Sequence, residues 1–204
     1  MASKRKSSRQ PQKESPDINE LLVLELQEIH SAESQLSRVL PRLAKVVESD
    51  TLRQMLEDRL TEGERILKEV DGALGELDET PGRKKNVAAE GLINDAREHV
   101  QEIQAGPALD AVLIGAVQKT EHYCIAAWGT AKALAQAVGQ KTATKAMERA
   151  LKEGKARDEQ LTQLAEQEVM PALMSQESAE GEEGQEQTRS RKNGGSERRA
   201  PADH

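Results

Sequence analysis

Apolar residues recur along this chain at the three- and four-residue spacing of helices, and in four stretches a charged side chain interrupts the apolar face near its middle. Leu22, Leu26, Ile29, Glu33, Leu36 and Leu40 share one face. Leu52, Met55, Arg59, Glu62, Ile66 and Val70 share a second. The stretch Leu109 to Thr130 supplies a third, with Ile114, Val117, Glu121, Cys124, Trp128 and Ala131 aligned. The fourth reads Met147, Leu151, Gly154, Asp158, Leu161 and Ala165. A carboxylate on a core face is costly unless it is paired, protonated or bound to a cation. Four helices that each turn a charge inward have the layout of a carboxylate site inside a helical bundle.

The pattern predicts five helices and no strand. The first should start at Pro16–Asp17, with Asp17 as N-cap, and run to about Val47, kinked or interrupted at Pro41. The second spans about 50–74, with Gly75 at its end. A Pro-Gly loop at 78–86 leads to a shorter helix at about 87–104. The fourth covers about 108–138, and the fifth about 142–169, ending before Pro171. Residues 17–172 are expected to form one bundle domain. Residues 1–16 form a basic tail and 173–204 a charged one, both too poor in apolar side chains to fold and expected to be disordered.

Composition narrows the function. With no Phe, one Tyr and one Trp, the chain has little to stack on bases, and a net charge of −7 disfavours a dedicated nucleic-acid binder. Weak contact through the basic tails is the exception, carried by Lys4, Arg5, Lys6, Arg9 and Lys13 at one end and Arg189, Arg191, Lys192, Arg198 and Arg199 at the other. A single cysteine excludes an internal disulfide and fits a reducing compartment. No secretory signal and no membrane-spanning run is visible, so a cytoplasmic location is expected.

Four segments carry a family resemblance: LQEIHSAESQL (26–36), EGLINDA (90–96), LDAVLIGAVQKTEHYCIAAWGT (109–130) and LKEGKARDEQLTQLA (151–165). Together they resemble the YciE/YciF-like branch of ferritin-like proteins. EHYCIAAWG is similar to that family's E-H-Y-E-I-A-x-Y-G, and HSAESQL to its Y-x-A-E-x-Q-L. The resemblance implies an all-α, ferritin-like four-helix bundle with one additional shorter helix, self-associating as a homodimer, linked to bacterial stress responses and built around a di-metal centre in typical members. Carried over by position, Glu33, Glu62, Glu121 and Asp158 are candidate remnant metal ligands.

The departures matter as much. The family's second-helix histidine falls at Arg59, and its tyrosine before A-E at His30. Glutamates fall at Cys124 and Gly154. Three ligand positions are thus altered, and a thiol at Cys124 suits a soft ion better than an oxygen-rich di-iron site. Arg59, always charged and rich in donors, is placed to supply the positive charge that metal ions supply in relatives. On the residues alone, Glu33 and Glu62 read equally well as solvated glutamates, and Cys124 as a small buried apolar group.

The expectation is a ferritin-like, stress-associated protein with a degenerate di-metal site, no cofactor and no catalysis. The alternative is a metal-binding protein with iron- or manganese-dependent oxidase or peroxide-handling activity.

Overall fold

The computed structural model describes residues 15–178, and of the expected tails residues 1–14 and 179–204 lie outside the described residues. The elements are α1 (Ile18–Leu43), α2 (Asp50–Gly75), α3 (Val87–Glu102), α4 (Pro107–Ala137) and α5 (Lys141–Leu164), with no strand among the described residues. The four long helices close into a ring in the order α1, α2, α5, α4, and the shorter α3 lies across α1 and α4. This is the all-α bundle that the pattern predicted, and it agrees with the ferritin-like fold that the resemblance implied.

The helix ends follow local chemistry. Asp17 caps α1 in a reciprocal box: its carboxylate accepts from the Glu20 N–H at 2.9 Å, and its own N–H donates to the Glu20 carboxylate at 2.9 Å. α1 passes through Pro41 and ends at Leu43, short of the Val47 expected, with Pro41 lacking only the bond its N–H would have made to the Ser37 carbonyl. The turn that follows is pinned by buried Asp110 from α4, whose carboxylate accepts the N–H groups of Glu48 at 3.0 Å and Ser49 at 2.7 Å. Asn86, the N-cap of α3, donates to the Glu28 carbonyl at 3.2 Å and to the Tyr123 hydroxyl, fastening α3 to α1 and α4.

The C-terminal end differs from expectation. A π turn at Ala165–Val169 follows α5, and helix continues through 170–178, past Pro171 and into the span expected to be tail. The Met170 N–H donates to the Ala165 carbonyl, five residues back. That wider turn shifts the register just ahead of Pro171, where an ordinary helix would clash with the ring.

The core is aliphatic, with Trp128 as its largest buried side chain. The stripes on α1 and α4 lie inward at every expected position. On α2, Leu52, Arg59, Ile66 and Val70 are buried, while Met55 and Glu62 are only partly covered. On α5 the stripe differs. Its buried residues include Met147, Ala150, Gly154, Arg157, Leu161 and Leu164, so Arg157 rather than Asp158 turns inward.

Candidate functional site

The charges interrupting the apolar stripes meet in the middle of the bundle. Arg59 stands on α2 between Leu56 and Gly63 and is 2% exposed. Gly63, one turn on, gives its side chain room: a Cβ there would lie 3.1 Å from both Arg59 Nη1 and Glu33 Oε2. The guanidinium therefore crosses to α1, where Nη1 donates to Glu33 Oε2 and Nη2 to Glu33 Oε1, each at 2.9 Å. Such a two-pronged pairing is the strongest geometry an arginine and a carboxylate can adopt. The remaining Nε donates to Glu121 Oε2 on α4 at 3.1 Å. The guanidinium carbon also lies 5.6 Å from the centre of the Trp128 ring, within cation–π range.

A second arginine, which the stripe pattern did not place in the core, completes the cluster. Arg157 on α5 donates through Nη1 to Glu121 Oε1 at 2.5 Å, and its Nη2 pairs with Glu62 Oε2. Glu121 thus has one oxygen on each arginine. The contacts run Glu33–Arg59–Glu121–Arg157–Glu62 and join α1, α2, α4 and α5.

Burial and mutual charge set the protonation of these groups. Burial works against the Arg59 charge, but Glu33 and Glu121 outweigh it and hold the guanidinium firmly protonated. Arg157 is brought down to about 9 by burial and by the charge of Arg59, against Glu33 and Asp58, and stays cationic at neutral pH. Burial pushes Glu121 up to about 6; Arg59 opposes the rise, and Glu33 and Asp158 add to it. With every carboxylate ionised, the three acids exceed the two arginines by one charge, and Glu121 takes up the balancing proton only as pH falls through about 6. Burial, reinforced by Glu33, raises the Cys124 thiol well above its usual range and keeps it neutral. Its Sγ lies 3.9 Å from Arg59 Nη2.

Other candidate positions fall outside the centre. Asp158 lies at the edge, where it accepts from Gln118 Nε2 at 3.2 Å and lies 3.4 Å from exposed His122. His30 pairs with Asp71 on α2 at 3.2 Å. His99 lies near Asp95 at 3.9 Å. Gly154 faces Trp128 and Glu121 so closely that it cannot carry any side chain in this packing.

A di-metal centre does not fit this donor set. Both oxygens of Glu33 and both of Glu121 already accept from arginine, Glu62 pairs with Arg157, the Cys124 thiol is neutral, and Gly154 offers no donor. Among the described residues no three His, Cys, Asp or Glu side chains converge as a metal-holding group. No helix among them is long and apolar enough to cross a membrane.

Comparison with known proteins supplies the relatives. The chain is 37% identical to protein YciF of Escherichia coli strain K12 over 149 residues, which is 72% of this chain and 90% of YciF. The crystal structure of the E. coli stress protein YciF superposes with a TM-score of 0.71 at 36% identity, covering 74% of this chain and 96% of that one. YcfI from Rhodopseudomonas palustris superposes with a TM-score of 0.69 at 29% identity over the same shares. Residues 17–174 match the family of a domain of unknown function, DUF892, and the chain belongs to that family.

Proposed function

We propose that this protein is a stress-associated bundle protein that works without catalysis, its centre held by arginines where a di-metal site is implied for its relatives. The observation that carries this reading is Glu121. Its two oxygens accept from two different arginines, at 3.1 and 2.5 Å, so a metal ion there would have to crowd against two guanidinium cations or displace one from a buried ion pair. An oxygen-activating di-iron bundle draws on paired carboxylates and E-x-x-H histidines from its helices. Here Arg59 and Gly154 stand at two of those positions. The stress association rests on the name of E. coli YciF, and the R. palustris relative, described as a candidate structural protein, fits a non-catalytic role.

A cytoplasmic homodimer is the setting we propose for it, from family resemblance and the single buried cysteine. The test is metal analysis of protein purified without chelator, followed by iron(II) and manganese(II) titration with oxygen and peroxide consumption recorded. Neither stoichiometric binding nor metal-dependent turnover is expected. Two bound ions with turnover would instead establish the oxidase or peroxide-handling alternative.

A further inference from the structure

The buried cluster meets solvent at one end of its chain of contacts. Side-chain exposure falls from 30% at Glu62 to 6% at Arg157, 2% at Glu121 and 1% at Glu33. Glu62, Arg157, Asp58 and Glu153 line a groove of about 200 Å3 between α2 and α5. On the opposite side, the cavity touching Arg59 and Glu121 is about 20 Å3 and otherwise lined mainly by aliphatic side chains of α1, α3 and α4. That is room for about a single water, not for a hydrated cation. The polar approach to the carboxylates is therefore the α2–α5 groove, and Arg157 stands across it.

We infer that Arg157 is a built-in cation that plugs this entrance: its guanidinium bridges Glu62 and Glu121 and fills the place an incoming divalent cation would take. Arg59 is held from deeper in the bundle by two acids and does not face the groove. Arg157 reaches the cluster from α5 and meets the groove directly. Without its charge, Glu121 Oε1 and Glu62 Oε2 would face each other unpaired beside solvent, while Arg59 still held Glu121 Oε2. Two carboxylate oxygens with room for water are a fitting partner set for a hard divalent ion. The inference rests on the proposed metal-free centre of the native chain.

The test is manganese(II) binding by full-length native protein, Arg157→Ala, Arg157→Met, and Arg157→Ala combined with Glu62→Gln. It is read as loss of the free-ion electron paramagnetic resonance signal, with helicity checked by circular dichroism. The native chain should leave the signal intact. Each single variant should take up one ion per chain at least about tenfold more tightly than native protein, a difference of about 1.4 kcal/mol. Adding Glu62→Gln should abolish the uptake, and free guanidinium should compete with the metal in Arg157→Ala. A folded single variant that binds no better than native protein, or uptake that survives Glu62→Gln, would overturn the plug alone. Failure of Arg157→Met to fold, although methionine keeps much of the volume, would make Arg157 a structural strut and overturn it too. Binding of two ions by the native chain would overturn the metal-free reading and the plug together.

Discussion

Gly154 and Trp128 occupy complementary space: a Cβ built on Gly154 would lie 2.5 Å from Trp128 Cζ3 and 2.8 Å from Glu121 Oε1. A glutamate at this position is incompatible with the tryptophan as packed, so the glycine and the large ring are a single structural fact. Gly154→Ala should lower stability by about 1–3 kcal/mol through overpacking, against the roughly 1 kcal/mol that alanine gains over glycine in a helix. Gly115, inside α4, is the control: a Cβ there would meet nothing within 4 Å, and Gly115→Ala should be neutral or stabilising. Urea unfolding of both variants tests the pair, and equal effects would dissociate Gly154 from Trp128.

Arg59 should be the costliest single side chain to remove. Arg59→Ala leaves Glu33 and Glu121 buried with fewer partners, and the loss of a buried pair is worth roughly 3–5 kcal/mol. Lys119→Ala breaks a pair of similar length, 2.9 Å to Asp95, but one exposed by 57% and 40%. Surface pairs contribute about 0–1 kcal/mol, so this variant should unfold close to the parent. Denaturant midpoints that failed to separate the two variants would contradict the placement of Arg59.

Glu121 gives the cluster a pH signature. Its carboxyl rises on folding from 4.5 to about 6, so the folded state holds the proton more tightly than the unfolded chain. The stability this contributes is full below pH 4.5 and is lost as pH rises through 6, an effect of about 2 kcal/mol. Glu121→Gln, which cannot ionise, should therefore gain on the parent across that window and hold the difference at neutral pH. Unfolding free energies at pH 4.5 and 7 measure it, and a variant that loses ground as pH rises would show that ionised Glu121 is the favoured form.

How much of this was legible depends on what surrounds each charge. Glu33, Arg59 and Glu121 could be found because leucine, isoleucine and valine stand a turn away on their helices, and a lone charge in such a row is conspicuous. Arg157 could not. Its inward neighbours are Ala150 and Gly154 on one side, residues with little apolar signal, and Asp158 follows it in sequence. Stepping by four and then three from Met147 placed Leu151 and Asp158 inward. The helix instead steps by three and then four, through 147, 150, 154, 157, 161 and 164, a phase the Leu161–Leu164 pair alone could have betrayed. The helix ends were visible in Asp17, Gly75 and Pro107. The passage through Pro171 was not, because a π turn is a property of backbone register and leaves no residue pattern of its own.

The central claim is that guanidinium groups, not metal ions, supply the positive charge between Glu33 and Glu121. A crystal structure of the native protein grown with excess manganese(II), with diffraction recorded for anomalous scattering from manganese, tests it most directly. The account predicts no anomalous peak in the bundle centre, with Arg59 still paired through both prongs to Glu33. Peaks between Glu33 and Glu121, with Arg59 turned out of the cluster, would contradict it.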